Sequence, residues 1–382
     1  MRIFILYLLL LAVPCVAVAQ RKELGQARTF IKNKKYDDAE RLIAPLLKDS
    51  ANSRNRRLWE ALYDVVRGKY SQANDKLYLN QRQDTAAFFA LARRMVTVAE
   101  TLDSIDPGQR KGLAAELNAH RANLFNGGIF FVRKGQWSDA YGYMETYMDC
   151  ARQPLFEAYH YDSLDARMPQ AAYWATYSGY MLRDPVLTLR HRKAALRDSA
   201  RADFTLQFMA EARQWLNDEE LYLATLQEGF RRYPLFPYFF PRLVDVYSRH
   251  GDYQRALAVA DSALAVCDSC QLFLFAKSTT LLNMQRYAES IKIGERLIEL
   301  NDSMPEPYFN VATAYINIAD RLDERREGKL VKQAYQKARP YMERYRAMMP
   351  AEKQKWGPAL YRIYLNLNMG RQFDEIDRLL KF

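Results

Sequence analysis

The stretch GDYQRALAVADSALAV, starting at Gly251, is echoed by MQRYAESIKIGERLIEL, starting at Met284. Tyr253 and Tyr287 are 34 residues apart, and so are Ala256 and Ser290. Tyr253, Ala256, Ala260, Ala263 and Cys267 are spaced by three and four, which draws one face of a helix. Leu243 and Tyr247 lie four apart on a preceding helix, and RHGD separates the two. The unit is therefore helix–turn–helix. Ala256 and Ala263 let two helices approach closely, where a bulky residue would force them apart. Aromatic side chains fill the gaps between pairs.

The spacing extends both ways. A unit opening at Pro237 carries Phe240, Leu243, Tyr247, Tyr253, Ala256 and Ala263; one opening at Gln271 carries Leu274, Ser278, Leu281, Tyr287 and Ser290. Further units open at Asp203 (Leu206, Ala210, Gly229) and Pro305 (Tyr308, Ala312, Tyr315). Towards the N-terminus they open at Gln20 (Ala27, Tyr36, Ala39), Arg54 (Ala61, Gly68, Tyr70, Ala73) and Arg121 (Gly128, Gly135, Trp137, Ala140). Residues 88–120 read as a worn pair broken at Pro107-Gly108, residues 169–202 as a degenerate unit, and the stretch from Trp356 as a last pair. This ladder resembles the tetratricopeptide repeat (TPR) family. Val244 and Leu297 depart from it, each standing where the family has a small residue. The resemblance implies an all-α, TPR-type α-solenoid, a right-handed superhelix of about ten helix–turn–helix pairs.

The domain reading follows the ladder. Arg2 and the apolar run Ile3 to Val13 form a signal peptide over residues 1–19, with Ala17-Val18-Ala19 as cleavage site and Gln20 as the mature terminus. Cys15 offers the alternative of a lipid-anchored outer-membrane form. The run is short of the about 20 apolar residues that a spanning helix needs. Residues 20–154 hold the N-terminal TPR-like pairs, 155–168 a candidate hinge, and 169–382 the C-terminal array. That array carries a charged insertion near residues 320–333, read as a longer solvated pair or as a projecting binding element. The insertion, the ARPYMERYRAMMP stretch after it and the short last pair loosely resemble exported bacterial repeat proteins. The expected location is periplasmic or secreted.

Composition limits the function classes. Gly and Pro are sparse (15 and 14 of 382) and 49% of residues are hydrophobic, which is folded helical protein rather than linker. The formal charge of +11 would suit nucleic acid, but export argues against it. It leaves an acidic partner or peripheral membrane contact open. No zinc-protease, nucleophile-elbow, P-loop or dinucleotide motif occurs. The four histidines, His120, His160, His191 and His250, fall in different units and read as surface or capping residues. No cofactor or metal is expected, and the chain reads as non-enzymatic. Cys267 and Cys270, in CDSC, are candidates for a local disulfide or for two half-buried thiols; a thiol oxidoreductase is the remaining reading. Asp49, Asp84, Asp103, Asp162, Asp198, Asp261 and Asp302 each precede Ser or Thr and then an apolar residue. The triplet resembles a bacterial O-glycosylation acceptor, and it equally suits helix ends.

In the family, the first helices of successive pairs line a concave groove. The resemblance places Phe204, Gln207, Glu211, Gln214 and Trp215 there from one unit, and Tyr238, Asp245, Ser248 and Arg249 from the next. Phe275, Thr279 and Asn283, and then Phe309, Thr313 and Asn317, follow. The groove would hold an extended peptide or a glycan, unless the aromatics pack against the neighbouring unit instead. The expected function is a protein-interaction scaffold in the cell envelope, with a glycan- or peptidoglycan-binding module as its rival, favoured by the 13% aromatic content.

Overall fold

A computed structural model describes residues 21–79 and 81–380, so the signal segment, Cys15 and the cleavage site lie outside the described residues. Every regular element among the described residues is helical. The chain divides into two compact units, the first ending at Asn217 and the second beginning at Asp218. Each is a stack of antiparallel helices of the α-solenoid, TPR type.

The first unit opens with a pair, 21–32 and Tyr36–Lys48. Two long helices follow, Arg56–Tyr78 and Thr85–Ile105, and then Arg110–His120. The pair Ala122–Arg133 and Trp137–Asp149 turns at Gly135, whose φ of 68° suits glycine. Met168–Met181 packs against the short helices Pro185–Arg190 and Arg192–Ala195, and Ala202–Trp215 ends the unit. Gly179 permits that packing, because a Cβ there would stand 2.6 Å from the Thr188 backbone nitrogen.

One expectation changes in this unit. The stretch opening at Arg54 reads in sequence as a helix–turn–helix unit marked by Ala61, Gly68, Tyr70 and Ala73; these residues instead lie on one continuous helix, Arg56–Tyr78. Gly68 serves close packing: a Cβ on it would lie 2.2 Å from Tyr36 Cζ on the preceding pair. Lys69, next to it, ion-pairs with Asp37 at 2.5 Å and Glu40 at 2.6 Å across the same contact. Residues 155–168 are the segment read as a candidate hinge. They form a 3-10 turn, Pro154–Tyr159, and a short helix, Tyr161–Leu164, within the first unit, while the division between units falls after Asn217. Leu155, Phe156 and Tyr161 are buried, so this segment is part of the core.

The second unit holds Glu219–Arg232 and four pairs: Phe239–Arg249 with Tyr253–Val266, Gln271–Asn283 with Tyr287–Leu300, Pro305–Asp320 with Glu324–Met348, and Lys353–Asn366 with Gly370–Leu380. Ala256, Ala260, Ala263, Ala312 and Ala338 have no exposed surface at the crossings. The charged residues near 320–333 add N-terminal turns to Glu324–Met348 after a three-residue connection. Asp323 caps that helix by accepting from the Arg325 amide, and helical geometry breaks once, at Glu327.

The 34-residue interval has a backbone counterpart. Arg183, Asn217, Gly251 and Gln285 recur at that interval, and each has positive φ, between 55° and 71°. At three of the four the next amide reaches back to close the last helical turn: Asp184 to Gly179 at 3.0 Å, Asp252 to Tyr247 at 2.8 Å, Arg286 to Leu281 at 2.9 Å. That is the left-handed cap which stops a helix and reverses the chain.

Candidate functional site

In the second unit, Phe239–Arg249 and Gln271–Asn283 lie side by side as first helices of adjacent pairs. Between them is a cavity of about 310 Å³ whose lining includes Val244, Asp245, Ser248, Phe275, Thr279 and Asn283. Val244, the departure from the small-residue rule, supplies part of the apolar floor. Asp245, Phe275 and Asn283 thus come together as the family pattern implies. Arg249 is exposed and bonds Asp245 at 3.1 Å, which fixes the rim charge of the groove. Thr279 Oγ1 accepts from Asn310 Nδ2 at 2.9 Å, so its hydroxyl is partly committed.

The other expected groove residues of this unit sit elsewhere. Tyr238 is buried, with the Arg242 guanidinium 3.7 Å from its ring centroid, and it packs rather than facing the groove. Phe309 packs on Tyr345 at 5.1 Å, and Asn317 does not line the cavity.

The first unit has a slot of about 530 Å³ lined by Val132, Met181, Gln207 and seven aromatic residues. Phe204 and Gln207 come from Ala202–Trp215. Trp137, Tyr173, Trp174, Tyr177 and Tyr180, which the family pattern did not supply, make up half of its lining. Tyr173, Tyr177 and Tyr180 are spaced four and three apart, so one face of Met168–Met181 presents all three. The Tyr173 and Tyr177 rings are within 5° of parallel at 6.4 Å, and Trp137 meets Tyr177 edge-on at 5.5 Å. Glu211 stands at one end, accepting from Tyr180 Oη at 2.9 Å and from Gln207 Nε2 at 3.1 Å. Trp215 stacks on Tyr180 at 5.5 Å, and Gln214 is exposed. Burial raises the Tyr173 and Tyr180 phenols to about 12, so both stay neutral donors at ordinary pH.

Three polar clusters lie away from these surfaces. Arg121 is buried between the Tyr147 and Tyr161 rings and ion-paired to Asp165. His191, expected at the surface, is buried, with Nε2 2.9 Å from Glu145 Oε2. Burial raises Glu100 to about 7, with the charge of Asp149 adding to it. Among the described residues, no group of three or more His, Cys, Asp or Glu could hold a metal ion.

Cys267 and Cys270 are joined, and the bridge spans the connection from Tyr253–Val266 to Gln271–Asn283. Both sulfurs pack on the cluster of Phe240, Ala263 and Phe273. Cys150 is free and buried, and its thiol is pushed up to about 12 by burial. Of the Asp-Ser/Thr triplets, Asp49 and Asp84 cap helix starts, while Asp103 is buried against Arg110.

No family model matches the chain. No curated protein matches it either. Among solved structures, it is similar to the C-terminal part of a TPR repeat-containing protein from Cytophaga hutchinsonii, at 11% identity and a TM-score of 0.45, covering 66% of this chain and 92% of that one. It is similar to yeast Tom70 at 13% identity and a TM-score of 0.36, covering 93% and 97%. The apo form of RapI gives 13% identity and a TM-score of 0.36, covering 95% and 98%.

Proposed function

We propose that this chain is a non-enzymatic protein-interaction scaffold that holds extended polypeptide segments along the first helices of its pairs, and that it works in the bacterial cell envelope after export. The groove between Phe239–Arg249 and Gln271–Asn283 carries the reading. Its floor of Val244, Phe275 and Ala276 suits alternate apolar side chains, and Asp245, Ser248 and Asn283 can bond a peptide backbone. Export rests on the N-terminal sequence alone. No described helix is long and apolar enough to cross a membrane. On Glu324–Met348, Arg325, Lys329 and Lys332 are exposed and have no ion-pair partner among the described residues, which supports peripheral contact with an acidic surface.

The test is photo-crosslinking from positions 245 and 283 in intact cells. A polypeptide crosslinked at both positions, and lost with Phe275→Ala, supports the scaffold. Sedimentation with purified cell wall and no polypeptide crosslink would transfer the assignment to a glycan-binding module. N-terminal sequencing starting at Gln20 supports export, and a lipid-modified Cys15 would relocate the protein to a membrane anchor.

A further inference from the structure

The slot in the first unit has a chemistry that the groove in the second lacks. Its lining has seven aromatic residues and no charged side chain. Most of its unused polar groups are hydrogen-bond donors, with the Gln207 Oε1 as an acceptor among them. Trp137 Nε1, Trp174 Nε1 and the Tyr173 and Tyr177 hydroxyls have no hydrogen-bond partner among the described residues. An indole N–H can only donate, and a phenol readily does. The one amide in the lining, Gln207, already gives its Nε2 to Glu211 at 3.1 Å.

A ligand that complements this slot is apolar on its faces and offers acceptors without donors. A polyproline II segment has that character. Proline lacks a backbone N–H, so its backbone presents carbonyls only. A sugar presents many hydroxyls that each need an acceptor, and the slot offers only the Gln207 Oε1 and the phenol oxygens, so most of the sugar's donors would be unpaired on burial. Dimensions agree. One polyproline turn of three residues rises about 9 Å. The ridge from Tyr173 to Tyr180 runs seven residues of helix, about 10 Å. Trp174 and Tyr177 are only partly buried and give ring surface against which a flat pyrrolidine can lie, with the buried Tyr173 and Phe208 behind them.

Charge gives the direction. Glu211 accepts only from the neutral Tyr180 and Gln207 and has no ion-pair partner among the described residues. At the other end Arg201 lies over Tyr173 and Trp174, but it is paired with Asp198 at 2.9 Å. We propose that the aromatic slot of Trp137, Tyr173, Trp174, Tyr177 and Phe208 is a receptor for a proline-rich, polyproline II segment with a basic residue at its Glu211 end. This rests on the scaffold reading and names the ligand class for one of its surfaces.

The experiment uses the full chain and follows tryptophan fluorescence and calorimetry with three probes. These are a decaproline peptide ending in Arg-Arg, the same peptide with every Pro replaced by alternating Gly and Ser, and a neutral chitin tetrasaccharide. The proline peptide should bind saturably, and the other two should not. Trp174→Phe keeps a ring and removes the N–H; with Trp137→Phe in the same chain, affinity should fall about tenfold, the loss expected for one or two donors. Glu211→Gln, compared on the Arg-ended peptide and on plain decaproline as an additional probe, should weaken the first by a larger factor than the second. Circular dichroism shows that each variant is folded. No saturable binding of the proline peptide, or full affinity in the double Trp→Phe variant, overturns the proposal. Equal binding of the Gly-Ser peptide overturns the proline assignment and leaves the scaffold reading standing. Binding of the tetrasaccharide alone overturns both for this slot.

Discussion

Ser290 Oγ donates to the Ser278 carbonyl at 2.9 Å, and Ser278 Oγ reaches back to the Ser290 carbonyl at 3.2 Å. The helices Gln271–Asn283 and Tyr287–Leu300 therefore touch through a reciprocal pair with no exposed surface. Other pairs place alanine at this crossing, as at Ala256 and Ala312. A hydroxyl is tolerated here only because each one finds a carbonyl. Ser290→Ala and Ser278→Ala should each cost about 1 kcal/mol. The double variant should cost less than the sum, because the two hydroxyls also meet each other at 3.3 Å and either change removes that shared contact. Urea midpoints of the three variants check this, and strict additivity would mean that the bonds do not pair.

Ala256 tests the crossing sterically. It is fully buried, while Ala258 on the same helix is exposed. Ala256→Leu should cost about 1–3 kcal/mol by overpacking. Ala258→Leu should lie within about 0.5 kcal/mol of the parent. Hydrogen exchange should show the damage concentrated in adjacent pairs of the second unit. Equal urea midpoints for the two variants would contradict the packing described.

Where sequence and structure agree, one residue type has one physical use. Positive φ after a helix end suits a permissive residue, and the sequence shows one at Gly135 and Gly251, while Arg183 and Gln285 take the same conformation without that signal. Where they part, one letter has two uses. Glycine marks a turn or a close contact, and Gly68 is the second. Aromatics face a groove or a neighbour, and Tyr238 took the neighbour while Phe275 took the groove. The aromatic slot was hidden for another reason. Trp137, Tyr177 and Phe208 come from three helices, and the degenerate unit between them gives no register with which to align them. The four-and-three spacing of Tyr173, Tyr177 and Tyr180 was the available clue.

Gly68 gives a prediction outside the repeat pattern. Gly→Ala in a helix interior normally stabilises by about 1 kcal/mol through propensity. Here the added methyl would meet the Tyr36 ring. Gly68→Ala should therefore destabilise, by about 1–3 kcal/mol. Tyr36→Leu should relieve the clash, so that alanine at position 68 becomes favourable in that background. Thermal melts of the four-member cycle decide it, and Gly68→Ala melting above the parent would refute the contact.

Glu100 should make stability fall with rising pH. Its carboxyl is raised from 4.5 to about 7, first by burial and then by the charge of Asp149. Between those values the folded chain binds a proton that the unfolded chain releases. The resulting stabilisation is full below pH 4.5 and lost as pH rises through about 7. Glu100→Gln mimics the protonated acid at every pH. The variant should match the parent near pH 4.5 and melt higher than it at pH 8. Melting curves across that range check this, and a constant offset between the two proteins would exclude a titrating Glu100.

Arg121 holds residues 155–168 to the pair before them. Its guanidinium carbon lies 3.7 Å from the Tyr147 ring centroid and 3.8 Å from that of Tyr161. Nη1 meets Asp165 Oδ2 at 2.5 Å, and Nη2 donates to the Tyr147 carbonyl at 3.0 Å. Tyr147 Oη donates to the same carboxylate at 2.6 Å, and the Arg167 amide donates to its other oxygen at 2.9 Å. Burial pushes the Asp165 carboxyl up, but the bonds from Tyr147, Arg121 and the Arg167 amide outweigh it and hold the group below its ordinary range. This stabilisation is full above the ordinary aspartate value and lost as pH falls through the depressed one. Removing one partner strands the other charge in the interior. Arg121→Met should therefore cost about 3–5 kcal/mol, and Arg121→Met with Asp165→Asn should recover part of that loss. Because Tyr161 would lose its cation as well, trypsin should cut after Arg167 faster in Arg121→Met than in the parent. Urea midpoints and a timed digest test both effects. An unchanged cleavage rate at Arg167 would show that the apolar burial of Leu155 and Phe156, and not the sandwiched cation, anchors the segment.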